Sequence, residues 1–222
     1  MSIWSNFVRK LGKKRLRFIG NVRRLFGLEY SSPVTEEGVF DLVRGKRVAV
    51  VGNAKSLSDT TFGEEIDDHD LILRFKYAPI PSTASHGSRT DVIATSAILE
   101  RSLMIERGAS HIFWMSPPRN ALPRWIVRLP SFFLYPRARH QALCAKVGNP
   151  RPTSGLMVID LLSRSPCKSV DLYGFDFYQS GSFSGQQTKE TTPHDYDAEE
   201  DFVLRLVRSD PRFSLRRSEP VA

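Results

Sequence analysis

The run Val48-Ala49-Val50-Val51, entered from Lys46-Arg47 and stopped by Gly52-Asn53, constrains this chain more than any other feature. Four consecutive apolar residues, mostly β-branched, suit a strand buried on both faces of a parallel sheet, where side chains need not alternate with water. Short runs of the same kind recur at 71–73, 92–94, 111–114 and 170–173. Between them, apolar residues return at helical spacing over 97–107, 138–147, 155–163 and 199–208, and Ser58-Asp59 can begin a further short helix. This alternation specifies an α/β fold, a Rossmann-like doubly wound sheet with helices on both faces. Ligands of such sheets bind beyond the carboxyl ends of the strands, which is where Gly52-Asn53 and Gly174-Phe175-Asp176 fall.

Composition agrees with one such domain: 222 residues, 41% hydrophobic and 25% charged. No apolar run approaches the roughly 20 residues needed to span a bilayer. The 2 cysteines, Cys144 and Cys167, are too few for a disulfide scaffold, and a reducing, cytoplasmic setting is the expectation. The net charge of +8 is unevenly placed. Residues 1–28 hold eight of the 32 Lys+Arg and no acid, which leaves 24 cations against 24 Asp+Glu elsewhere. The main domain is thus formally neutral, and nucleic-acid binding by it loses its main support.

In residues 1–30, Trp4, Phe7, Val8 and Leu11, then Phe18, Ile19, Val22, Leu25 and Phe26, recur at helical spacing between cations. A basic amphipathic helix of this kind either lies peripherally on an anionic membrane surface or packs on the domain with its cations solvated. Ser31-Ser32-Pro33 reads as the linker into a second unit spanning 31–222. The stretch 117–136 carries Pro117, Pro118, Pro123, Pro130 and Pro136 among aromatic residues, so it cannot form a long regular element. It reads as an acceptor-side lid or as a connection packed by its aromatics.

Three segments carry chemistry. In Gly52-Asn53-Ala54 the glycine suits close approach of a ligand to the backbone, and the following N–H groups suit a phosphate. The spacing is neither that of a P-loop nor GxGxxG. Arg151-Pro152-Thr153-Ser154-Gly155 stands at a helix start, where hydroxyls, N–H groups and an arginine suit an anion; a plain Thr or Ser cap leaves the same trace. His194, ahead of the last helix, is either a general base oriented by a carboxylate or a surface histidine. Asp195-Tyr196-Asp197 also matches the DxD pattern that holds a divalent cation in many nucleotide-sugar transferases, and an acidic helix start explains it equally.

Together these segments resemble the sialyl motifs of glycosyltransferase family 29, the animal-type sialyltransferases. Residues 48–57 with Ile66 to Arg74, Ala78-Pro79 and Asp91-Val92 resemble the long motif. Residues 152–155 through 167–175 resemble the small motif, and His194-Asp195 with Glu199 the terminal His-x4-Glu motif. The stretch 151–182 is also similar to bacterial family 42 sialyltransferases, so the chain resembles a small bacterial enzyme between the two families. The resemblance implies a single nucleotide-binding domain of the GT-A-like variant found in sialyltransferases, with a CMP-activated sugar as donor and no required cofactor or metal. It implies inverting transfer of sialic acid, or a related acidic sugar such as Kdo, to a hydroxyl of a glycan or glycolipid.

In that reading His194 takes the acceptor proton, while Arg151 and Tyr178 stabilise the departing CMP phosphate. Gly52, Asn53, Ala54, Lys76, Thr95, Thr153, Ser154, Gly155, Gly174, Phe175 and Asp176 hold the donor, with Thr153 and Ser154 on the sugar carboxylate or the ribose. Asp195 or Glu199 either orients the imidazole or caps the helix. The chain also departs from its relatives. Cys167 keeps one position of the animal enzymes' disulfide, but Val48 occupies the other; Lys76 replaces the long motif's asparagine, and Thr95 and Ser184 replace an asparagine and a tyrosine of family 42. No His-Tyr motif is recognisable. Lys76 leaves the donor open between sialic acid and Kdo. Two rivals remain: a metal-dependent UDP- or GDP-sugar transferase using Asp195 and Asp197, and a catalytically silent nucleotide-sugar-binding protein. A membrane-seated N-terminus favours a lipid-linked glycan, as in lipopolysaccharide or capsule, made at the cytoplasmic face.

Overall fold

A computed structural model describes residues 14, 18–22, 30–77, 79–116, 122–183 and 191–217. Its strands are β1 (Arg47–Val51), β2 (Leu71–Phe75), β3 (Val92–Thr95), β4 (His111–Trp114), β5 (Phe132–Leu134), β6 (Ser169–Tyr173) and β7 (Phe213–Arg216). The helices are α1 (Glu36–Val43), α2 (Gly63–Asp67), α3 (Thr83–His86), α4 (Arg101–Glu106), α5 (Arg124–Val127), α6 (Arg137–Val147), α7 (Ser154–Ser163) and α8 (Tyr196–Ser209). All seven strands join one parallel sheet in the order β5-β4-β3-β2-β1-β6-β7. The chain walks outward from β1 to β5, then returns to lay β6 on the other side of β1. The order therefore reverses between β1 and β6, which places the switch-point crevice at Gly52 and Gly174, as the sequence predicts.

The sheet is buried on both faces, which is why its strands read as continuous apolar runs. Val48 and Val50 join the layer of α1, α6, α7 and α8, while Ala49 and Val51 join Leu57 and Ile66 on the opposite face. Each fully buried valine, leucine or isoleucine among them contributes roughly 1.5–3 kcal/mol. Helix α7 is covered by the sheet and its neighbours, so Leu156 to Leu162 are all buried, and one apolar face would not suffice there. Caps set its start and that of α8: Thr153 accepts from the Leu156 N–H, and Asp195 accepts from the Ala198 N–H.

Several elements differ from expectation. The helix predicted over 97–107 is confined to α4, because the Thr95 hydroxyl binds both the N–H and the carbonyl of Ala97 and Leu99 is drawn into the core. The segment anticipated as a helix from Ser58 is a 3-10 turn, Lys55–Asp59, that ends there, with α2 following. Within 117–136 the structure has α5 and strand β5, with Phe132, Phe133 and Tyr135 buried, so the described part is a packed connection. Residues 117–121 lie outside the described residues. Strand β7 and helix α1 were not anticipated. Most of the N-terminal segment also lies outside the described residues; within it, 18–22 are helical, with Phe18 exposed and Gly20 buried. Cys144 and Cys167 are free thiols, and Val48 is core, so no bridge links the two motifs.

Candidate active site

A cavity of about 670 Å³ opens at the carboxyl ends of β1, β2 and β6, within the range that holds a nucleotide-sized ligand. Gly52, Asn53, Ala54, Lys76, Arg151, Thr153, Ser154, Gly155, Gly174, Phe175, Asp176, Tyr178 and His194 all line it. Thr95 does not. Its hydroxyl is fully buried and spent on Ala97, so the donor contact expected of it is withdrawn. Ser96, the next residue, lines the cavity instead and lies 3.3 Å from the Ser154 hydroxyl.

His194 has a defined orientation. Its Nδ1 lies 2.7 Å from the carbonyl oxygen of Arg151. A carbonyl can only accept, so Nδ1 donates the hydrogen, and in that tautomer the lone pair lies on Nε2. Of the two roles open to Asp195 and Glu199, orienting the ring or capping the helix, Asp195 takes the second and Glu199 takes neither. Asp195 caps α8, and Glu199 turns inward to accept from the Thr153 N–H at 2.7 Å and its hydroxyl at 2.6 Å. The Asn149 amide approaches the same carboxylate at 3.5 Å. Burial pushes the Glu199 carboxyl up to about 7, against the downward pull of the Thr153 bonds. The terminal motif's glutamate thus braces the small motif.

That bracing corrects the role expected of Thr153. Its hydroxyl donates to Glu199 and accepts from the Leu156 N–H, so its one proton is spent inside the protein. Gly52 is corrected too. A Cβ there would stand 2.3 Å from the Gly174 carbonyl oxygen, so the glycine is required by the neighbouring backbone, while it still lines the cavity. Three of the N–H groups after Gly52 are also engaged: Ala54 with Gly174, Lys55 with Gly181 and Ser56 with the Ser180 hydroxyl. Gly155 lets the Phe175 ring approach, with a Cβ position 3.0 Å from it. The amino end of α7, at Ser154 and Gly155, is the better-placed anion site of the cavity.

Asp176 works as a clasp. Its carboxylate accepts from the Tyr178 N–H at 3.1 Å, the Ser180 N–H at 3.0 Å and the Ser56 hydroxyl at 2.9 Å, with the Ser180 hydroxyl a further donor. The clasp holds Phe177 and Tyr178 at φ 53° and 73°, a left-handed backbone that L residues rarely adopt. Arg151 is exposed at the rim, and no carboxylate among the described residues pairs with it. Lys76, also left-handed at φ 54°, ends β2, and burial lowers its ammonium below the ordinary lysine range. Sequence reasoning passed over Ser116, His140 and Tyr196, which also line the cavity. Ser96 and Ser116 follow strand ends and were findable by that rule; His140 sits on α6 with no local signal.

Known proteins bear on this site. The family model described as Glycosyltransferase family 29 (sialyltransferase) matches residues 4–112. A CMP-N-acetylneuraminate-beta-galactosamide-alpha-2,3-sialyltransferase 1 of Mus musculus is 28% identical over 203 residues, covering 75% of this chain and 58% of the relative. The protein of the same name from Gallus gallus is 26% identical, covering 84% and 62%. The chain thus spans about three-fifths of the length of these curated relatives. Among solved structures, a mammalian sialyltransferase in complex with Gal-beta-1-3GalNAc-ortho-nitrophenol matches with a TM-score of 0.63 and 21% identity, over 89% of this chain and 78% of that one. The sialyltransferase CstII from Campylobacter jejuni, in complex with CMP-3FNeuAc, matches with a TM-score of 0.55 and 14% identity, over 77% and 81%. These structures share the parallel α/β, GT-A-like fold. With the three motif-like segments converging on one switch-point cavity, the chain is similar to glycosyltransferase family 29 in sequence over residues 4–112 and to sialyltransferases in fold.

Proposed function

We propose that the chain transfers sialic acid from its CMP-activated form to a glycan hydroxyl, with inversion and with His194 Nε2 as general base. The observation that carries this reading is the His194–Arg151 bond at 2.7 Å, which leaves a basic nitrogen at the wall of the switch-point cavity. The acceptor hydroxyl loses its proton to Nε2 as it attacks the anomeric carbon, and the bond to the CMP phosphate breaks. Charge grows on the departing phosphate, where Tyr178, Arg151 and the amino end of α7 offer donors and positive potential. CMP-bearing complexes of CstII support the donor, and the acceptor complex of the mammalian enzyme supports a glycan acceptor.

Lys76 supports a second donor, CMP-Kdo, since a cation at the end of β2 suits any sugar carboxylate. Incubation with CMP-sialic acid and CMP-Kdo separately, following CMP release by NMR with and without EDTA, tests both. CMP release from one donor, lost by roughly 100-fold in His194→Ala with CMP affinity kept, supports the base. Normal turnover by that variant removes it. Loss with EDTA and return with manganese would move the chemistry to Asp195 and Asp197.

A further inference from the structure

Tyr196 is the first residue of α8, two positions after His194, and its ring does two things at once. It stacks on the Tyr178 ring with centroids 4.8 Å apart and planes 19° apart. It also lies tilted against His194, with centroids 6.0 Å apart and planes at 57°. Its own backbone is fixed by the Asp195 cap, whose carboxylate accepts from Ala198 at 3.0 Å.

Tyr178 needs such a partner. Its backbone is left-handed at φ 73°, and a residue stays in that region only when its surroundings over-determine it. The Asp176 clasp fixes the backbone through the Tyr178 N–H at 3.1 Å, and the ring is a further point to restrain. The Tyr196 face supplies that restraint. Burial holds the Tyr196 phenol up at about 12, so it stays neutral at working pH and acts through its ring.

We propose that Tyr196 is a positioning residue, whose stacked ring aligns Tyr178, on the leaving phosphate, with the base His194. The proposal rests on the roles given to His194 and Tyr178 above. One helix start then sets the geometry at both ends of the bond-exchange axis: the base through chain continuity, the leaving-group contact through the stack. A purely space-filling Tyr196 would be replaceable by any apolar side chain of similar volume.

The test compares wild type, Tyr196→Phe, Tyr196→Leu and Tyr178→Phe, with the double variant Tyr178→Phe/Tyr196→Leu, in turnover of CMP-sialic acid and in CMP affinity by calorimetry. Tyr196→Phe keeps the ring and should stay within about twofold of wild type. Tyr196→Leu should lose roughly tenfold in turnover, the upper end of an aromatic pair's worth. In the Tyr178→Phe background there is no hydroxyl left to align, so the same leucine change should cost less than about twofold. Should the leucine protein melt far below wild type, Tyr196→Met fills the space without a ring face and serves in its place. Wild-type turnover by the leucine variant, an equal tenfold loss in both backgrounds, or a matching loss in Tyr196→Phe each overturns the proposal while leaving the His194 reading intact. Failure of wild type to bind CMP or release it from the donor is a different result, which overturns the underlying function and the proposal with it.

Discussion

Replacing Glu199 by glutamine should make the protein relatively more stable as pH rises. The carboxyl is 3% exposed, and burial raises it from the ordinary 4.5 to about 7. Between those values the native state holds a proton that the unfolded chain has released, so native stability falls as pH climbs through the window. At about 1.36 kcal/mol per pH unit, the full loss approaches about 3 kcal/mol, complete above pH 7. Glutamine has no charge to bury, and its amide oxygen can still accept from the Thr153 N–H that now lies 2.7 Å from the carboxylate. Below pH 4.5 the two proteins bury similar neutral groups. Denaturant unfolding followed by tryptophan fluorescence at pH 4.5, 6 and 8 measures the difference, and the other titrating groups largely cancel between the proteins. The variant should gain up to about 3 kcal/mol relative to wild type from pH 4.5 to 8. A flat difference would mean that burial does not govern this carboxyl. The opposite slope would mean that the Thr153 bonds hold it charged.

Gly52→Ala forces a methyl against the Gly174 carbonyl oxygen, 2.3 Å from the Cβ position, and all three near contacts are backbone. It should cost roughly 3 kcal/mol in chemical denaturation and weaken CMP binding in calorimetry, since the β1 and β6 ends must part. Asp176→Ala opens the clasp on Phe177 and Tyr178, so CMP affinity should drop about tenfold, and the melting temperature should fall with it because Phe177 is buried in the core. Lys76→Asn keeps a residue that tolerates the left-handed backbone. It should raise the donor KM by about tenfold with CMP affinity nearly unchanged if the lysine meets the sugar carboxylate; equal losses for CMP and donor would place it on the phosphate instead. Vesicles containing anionic lipid should co-sediment the protein through residues 1–28, with release as salt rises, and indifference to lipid charge would remove that reading.

The central strands were legible because burial on both faces removes polar residues from a run, and Val48 to Val51 carry that mark unaided. Helices α6, α7 and α8 were legible within one to three residues at their ends, since periodicity is a local property. The terminal strands were not. Strand β5 is three residues long amid prolines, and β7 has only Phe213 buried, so neither offers a pattern above that of a loop. The site divides in the same way. Which residues would gather at the switch point followed from strand ends and motifs, because topology brings all parallel carboxyl ends to one edge.

What each residue does there was decided only by contacts between segments far apart in sequence. Glu199 spends itself on Thr153, 46 residues earlier, and His194 takes its orientation from a backbone carbonyl 43 residues earlier. Gly52 owes its lack of a side chain to Gly174. Hydrogen bonds and van der Waals contacts act over a few ångströms, so a chain can announce its strands, helices and turns locally. Which donor meets which acceptor is settled when the sheet closes.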